Sequence, residues 1–236
     1  MRCALLHGFA GDPAAWGEVI DAWVLDEHPL AVALPGHGDG PVLDSWEQNL
    51  DVVARAIKGC DVVIGYSLGA RVALGLVASG RFAHGVFIGV NPGISDHERE
   101  QRRGFDHAWT RLLRSEGIAA FHDAWMKQPL FATQQRVAVE KLAERRARRM
   151  LLDAEQLARS LEVMGLAGMP DYWSAIPAHR DRIALIAGAD DPKYVAISAG
   201  LPAASFETIP NSGHDPTLEQ PRELAGAIAR AVARLS

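Results

Sequence analysis

Cysteine occurs only twice in 236 residues, at Cys3 and Cys60, each beside a short apolar run. A secreted fold stapled by disulfides would need more, so two inert buried thiols in a cytoplasmic protein are expected. Long apolar runs are also missing. None approaches the ~18 residues of a membrane-spanning helix, and Met1-Arg2-Cys3-Ala4-Leu5-Leu6 at the start is too short for a signal peptide. Positive charge is in deficit: 24 Lys+Arg against 29 Asp+Glu leave −5. That argues against a general nucleic-acid or anionic-membrane binder. No H-E-x-x-H string or paired-cysteine spacing occurs, so no metal is expected. Internal repeats and low-complexity linkers are absent as well. What remains is ordinary globular usage, 48% apolar and 22% charged, suited to one domain or a core with an insertion.

The apolar residues are organised in short runs that alternate with helical patterns. Residues 3–6, 30–34, 61–64, 86–90 and 183–187 are brief, nearly continuous and bounded by Gly, Pro or charge, as strands buried on both faces should be. A weaker strand spans 204–209. Helix starts are readable between them. Asp12 is placed to N-cap with Pro13 at the first helical position, and Trp16, Val19, Ile20, Trp23 and Val24 share a face. Ser45 and Gln48 have capping-box spacing ahead of Leu50, Val53, Ala54 and Ile57. A third helix follows Ser67 and ends near Gly80, and a last one carries Leu224, Ile228, Val232 and Leu235 on one stripe. This alternation predicts an α/β protein with a mostly parallel sheet of about six strands.

Residues 92–179 break the rhythm, with helical patterns and no convincing strand; Phe105, Trp109, Leu112 and Leu113 make one helical face. Residues 96–150 hold 12 Lys+Arg and 8 Asp+Glu, a surplus of +4, while the other 12 basic and 21 acidic residues give −9. A basic helical insertion reads as a lid, 92–179, over a core formed by 1–91 and 180–236, and its charge points to an anionic ligand. A solvated helix pair laced with salt bridges is the plainer alternative.

The chemistry centres on Gly65-Tyr66-Ser67-Leu68-Gly69, which follows the 61–64 strand and opens the next helix. This is a G-x-S-x-G elbow in strand–turn–helix context, where the tight turn leaves no room for side chains at the glycines and lifts the serine hydroxyl clear. His214, in Asn211-Ser212-Gly213-His214, lies in the loop after the last strand, where an α/β-hydrolase places its base. The acid belongs after the preceding strand, in Gly188-Ala189-Asp190-Asp191-Pro192. Asp191 is preferred, because Pro192 biases it toward an extended backbone; Asp190 is the runner-up, and either could simply satisfy a turn. In this fold Phe9, after His7-Gly8, and Leu68 supply the two oxyanion-hole N–H groups. His37 is expected to be a loop-packing residue. Arg71, one helical turn beyond Ser67, opposes the helix dipole and so calls for an anionic partner. That partner is either a ligand in the serine's cavity, since i and i+4 share a face, or an internal carboxylate.

These motifs together resemble the 2-succinyl-6-hydroxy-2,4-cyclohexadiene-1-carboxylate synthases of menaquinone biosynthesis, lyases on an α/β-hydrolase fold. The resemblance runs from His7 to about Glu219. It rests on His7-Gly8-Phe9 with Gly11 and Trp16, Leu34-Pro35-Gly36-His37-Gly38, the elbow continued by Ala70-Arg71, Asn91-Pro92-Gly93, and Trp125-Met126-Lys127-Gln128-Pro129-Leu130-Phe131. It implies substrate-facing arginines at Arg71, Arg102 and Arg146, with Arg103 and Arg145 as register alternatives. Aromatic pocket positions fall at Trp125, Tyr66 and Phe131, and a basic one at Lys193. Three features differ from the family pattern: the first two strands are missing or abbreviated, Ala70 stands where a second glycine is usual, and Asp215-Pro216-Thr217 after His214 lacks a second histidine.

The resemblance implies a cofactor-independent lyase acting on a small polycarboxylate, with Ser67, His214 and Asp191 as its triad. It would be a monomer or small homo-oligomer with no nucleic-acid or membrane partner. A serine hydrolase of an ester or C–C bond uses the same triad, but a hydrolase of apolar esters would not need Arg71, Arg102 and Arg146 to converge. A non-catalytic ligand-binding relative would not need the triad, and the Arg145-Arg146-Arg148-Arg149 cluster sits poorly with nucleic-acid binding at a net −5.

Overall fold

The computed structural model describes residues 1–235. Its centre is a six-stranded sheet: β1 (Cys3–Leu6), β2 (Leu30–Val32), β3 (Val62–Tyr66), β4 (His84–Ile88), β5 (Ile183–Gly188) and β6 (Ser205–Ile209). The order is β2-β1-β3-β4-β5-β6, and every neighbouring pair is parallel. Successive strand residues point to opposite faces, and both faces are covered, which explains why the strands read as unbroken apolar runs. Ala4, Leu6, Val63 and Leu185 pack on one side against α2 (Trp46–Ala56) and α3 (Leu68–Ala78). Cys3, Leu5, Ile64 and Ile186 pack on the other against Trp16 and Val19, near α1 (Gly17–Asp21), and against Leu224 and Ile228 of α9 (Pro221–Arg234).

Between β4 and β5 lie α4 (Asp96–Trp125), a 3-10 segment (Pro129–Arg136), α5 (Val139–Arg149), α6 (Ala154–Met164) and a second 3-10 segment (Ile176–Arg182). Gly117, at φ 76° and ψ −176°, divides α4 into two helices. The end of the insertion is built into the main core: Met164, Leu166, Met169, Tyr172 and Ile176 are buried in the cluster that also holds α3. After β5 come α7 (Pro192–Ala199) and, past β6, α8 (Pro216–Glu219).

Several local expectations are corrected. β2 stops at Val32 rather than 34, because Leu34 N–H leaves the ladder and donates to His7 Nε2 at 3.1 Å. β4 ends at Ile88 because Gly89 turns the chain at φ 60°. Asp12 does cap, accepting from Ala15 N–H at 3.0 Å, but α1 ends at Asp21, leaving Val24 68% exposed instead of on the buried face. Ser45 Oγ accepts from Gln48 N–H at 3.2 Å without the reciprocal bond; that bond is made instead at α4, where Glu98 accepts from Ser95 N–H at 3.0 Å. Cys60 is half-buried rather than buried. Among the described residues, no helix is long and apolar enough to cross a membrane.

Candidate active site

Ser67 sits between β3 and α3 with φ 53° and ψ −107°, a strained conformation for a side chain other than glycine. Close packing holds it there: a Cβ at Gly65 would lie 2.1 Å from the Gly69 carbonyl oxygen, and one at Gly69 would lie 2.2 Å from that of Leu6. Ser67 N–H donates to Ile88 O at 2.9 Å, tying the elbow to β4. Leu68 begins α3, so its N–H is one of the helix-start donors with no intrahelical acceptor.

Ser67 Oγ lies 3.0 Å from His214 Nε2, and His214 Nδ1 lies 2.8 Å from Asp191 Oδ2. His214 and Asp191 are both buried. Asp191 serves twice, because its other oxygen accepts from Tyr194 N–H at 3.3 Å and caps α7. Asp190, the runner-up, pairs instead with Arg136 at the surface. The His214 ring packs at a tilt against Tyr194, 4.4 Å between centroids, and is flanked by Tyr66 at 5.5 Å. Glu219 braces the preceding loop by accepting from Gly213 N–H at 2.8 Å. A carboxylate holding Nδ1–H leaves Nε2 free to take the serine proton.

Two cavities meet at Ser67 and His214. The larger, about 480 Å³, is bordered by Phe9, Arg71, Arg102, Phe105, Trp125 and Lys193, with Asn91 and Tyr194 also facing it. Arg71 donates to Met164 O at 2.9 Å and reaches no carboxylate within ion-pair distance among the described residues. Burial and then the neighbouring Arg102 pull its guanidinium down to about 10. The internal-carboxylate alternative for Arg71 therefore fails. Arg102 is steadied by Asp106 at 2.9 Å, and burial pushes that carboxyl up. Phe105, 45% exposed, is a cavity wall under Arg102 at the open end of the helix face it shares with Trp109. Lys193 lies 5.5 Å from the Tyr194 ring.

The smaller cavity, about 60 Å³, is bordered by Phe9, Tyr66, Trp125, Phe131, Arg145, Arg148 and Arg149. Arg146 is not among its walls. It turns outward, 3.5 Å from Asp123, onto a neighbouring surface cavity, and its register alternative Arg145 faces inward beside Asp215. The helix phase of α5 decides this, since i and i+4 place Arg145 and Arg149 on one face. That spacing was a usable sign for Arg149, which sequence reasoning missed. Nothing in the spacing marked Tyr194 or Asn91. His37 is buried between His7 and Phe9, where loop packing was expected. Among the described residues, no three His, Cys, Asp or Glu side chains are grouped to hold a metal ion.

The sequence pattern of the Alpha/beta hydrolase family matches residues 4–227. A 2-succinyl-6-hydroxy-2,4-cyclohexadiene-1-carboxylate synthase from Escherichia coli O157:H7 (strain EC4115 / EHEC) is 32% identical over 234 residues, covering 95% of this chain and 91% of the relative. The protein of the same name from Shigella boydii serotype 4 is 31% identical over the same shares. Among solved structures, MenH from S. aureus superposes with a TM-score of 0.92 at 27% identity, covering 100% of this chain and 94% of that one. A thermophilic esterase from Thermogutta terrifontis reaches 0.82 at 22% identity, covering 100% and 90%, a likeness of fold alone. This chain belongs to the alpha/beta hydrolase family and, within it, to the family of the 2-succinyl-6-hydroxy-2,4-cyclohexadiene-1-carboxylate synthases.

Proposed function

We propose that the protein eliminates pyruvate from 2-succinyl-5-enolpyruvyl-6-hydroxy-3-cyclohexene-1-carboxylate to give 2-succinyl-6-hydroxy-2,4-cyclohexadiene-1-carboxylate, a step of menaquinone biosynthesis. The observation that carries this reading is Arg71, a cation without an internal carboxylate partner, facing the same cavity as the Ser67–His214–Asp191 chain. A substrate with three carboxylates supplies the missing counter-charges, and a planar guanidinium matches a carboxylate bidentately.

Ser67, Asp191 and His214 form the catalytic triad, and the helical segment 92–179 acts as the lid, its last part anchored in the main core. The ring proton beside the succinyl ketone is acidified by that ketone. Ser67 Oγ removes it as its own proton passes to His214 Nε2, and Asp191 stabilises the resulting imidazolium. The enolate oxygen is received by the N–H groups of Phe9 and Leu68. The C–H electron pair forms the new ring double bond, the existing one shifts, and the C–O bond to the enolpyruvyl group breaks. The departing enolate takes up a proton on carbon to become pyruvate. Electrons and protons balance without a cofactor. Arg71, Arg102 and Lys193 hold carboxylates on one side of Ser67, and Trp125, Tyr66 and Phe131 shape the apolar wall. The protein works in the cytoplasm as a monomer or small homo-oligomer, with both thiols reduced.

Incubation with the pathway intermediate, followed by diene absorbance and pyruvate release, tests the reading. Stoichiometric pyruvate with no burst and no serine adduct by mass spectrometry is expected, with at most feeble turnover of neutral esters. Fast ester turnover through an acyl adduct on Ser67, without pyruvate, would instead make the protein a serine hydrolase.

A further inference from the structure

The segment that follows α6 is held by arginines from two different helices. Met164 ends α6, so its carbonyl lacks an intrahelical donor. Arg71 of α3 fills that place: its Nη1 donates to Met164 O at 2.9 Å and to Met169 Sδ at 3.6 Å. Arg99 of α4 takes the next two carbonyls, its Nη1 donating to Ala167 O at 3.0 Å and to Met169 O at 2.7 Å. Neither of those carbonyls has another protein donor among the described residues. Arg99 Nε also meets Asp96 at 3.1 Å, but Asp96 is fully exposed, and a solvated pair of this kind holds little. Arg99 borders neither cavity at Ser67.

We infer that Arg99 is a positioning residue for Arg71: it fixes the 164–169 segment, and that segment aims the Arg71 guanidinium at the substrate carboxylate. The inference deepens the lyase reading at one point, carboxylate binding by Arg71, and rests on it. The acceptors offered to Arg71 are neutral, so they set its direction and leave its charge for the ligand, where an internal carboxylate would neutralise it. The segment has no slack to absorb a shift. A Cβ at Gly165 would lie 2.0 Å from Leu161 O, one at Gly168 would lie 2.5 Å from Val163 O, and Met169 is fully buried. Without Arg99, two carbonyls lose their donors and the segment must move to satisfy them. In close packing that movement reaches Met164 O and Met169 Sδ, and with them Arg71.

Three measurements on the intact protein test this. Arg99→Leu keeps apolar bulk without the donors, and should raise KM for the pathway intermediate about tenfold with kcat held, as for lost binding common to ground and transition states. Arg99→Lys, which keeps a charged donor, should recover most of that loss, and Asp96→Asn should change neither constant. In an Arg71→Gln background Arg99→Leu should cost little more, because one residue acting through another is not additive with it. The crystal structure of Arg99→Leu should show Arg71 Nη1 withdrawn from Met164 O; if that variant fails to fold, Arg99→Gln serves for the same cycle and structure. An unchanged KM with only a lowered melting temperature, losses that add to those of Arg71→Gln, or an intact Arg71–Met164 contact overturns the assignment. Any of these alongside pyruvate release leaves the lyase standing. Absence of pyruvate release by the unmodified protein refutes the lyase itself, and the variant's structure then still decides whether Arg99 places Arg71.

Discussion

At the scale of single residues the site depends on groups that act jointly. Ser67 Oγ and His214 Nε2 are 3.0 Å apart and share one proton path. Ser67→Ala and His214→Ala should therefore each lower kcat by on the order of 10²–10⁴, and the double variant should be little worse than either single one. Kinetics of the three folded variants check this; additive losses would assign the two residues separate roles. Arg71 differs, because in the proposed mechanism it binds rather than reacts. Arg71→Gln should cost about 1.5–3 kcal/mol, or roughly 10–150-fold in kcat/KM, while thermal stability holds or rises as a buried cation without a counter-charge is removed. Unchanged kinetics with a lowered melting temperature would make Arg71 a structural residue. Both positions were legible in the sequence, Ser67 from its glycines and Arg71 from i, i+4 spacing. Tyr194 was not, because its ring contact with His214 is made only once the loops after β5 and β6 come together.

At the scale of elements, the strand–turn–helix unit of β3 and α3 is the least tolerant part of the molecule. The Gly69 Cα faces the end of β1, so an added methyl would meet backbone rather than a movable side chain. Gly69→Ala should destabilise by more than the 0.5–3 kcal/mol common for point substitutions, measured by urea unfolding, with activity lost in proportion to the folded fraction. Helix α5 carries the opposite lesson. Its sequence offered five basic residues in one run, and composition could not say which face water takes. Packing decided: Lys141 pairs with Glu18, Arg145 with Asp215 and Arg148 with Asp12, which turns Arg149 inward and Arg146 outward.

At the scale of the whole molecule, three histidines are kept neutral by burial: His7 and His122 down to about 4, and His37 to about 3. His7 accepts from Leu34 N–H and faces Gly8 O, an arrangement that requires the neutral ring. The unfolded chain takes up these protons near pH 6.5, the folded one only near pH 4 or below. Between those values the unfolded state binds more protons, so stability should fall as pH drops from about 6.5 toward 4. Denaturant midpoints across that range check this, and His7→Gln should flatten the slope; a constant midpoint would contradict the burial of neutral rings. The sequence by itself determined the parallel α/β core, since both-face burial writes continuous apolar runs into the strands, and it determined the elbow, since only glycine fits where backbones touch. It also marked Ser67, His214 and Asp191, because their chain order follows the loops at one end of the sheet. Only the tertiary structure decided that Asp190 looks to Arg136 and Asp191 to His214, that Arg145 rather than Arg146 faces Ser67, and that Arg149 is left without a counter-charge. Those outcomes depend on which charges meet across segments far apart in the chain, and no local pattern records such meetings.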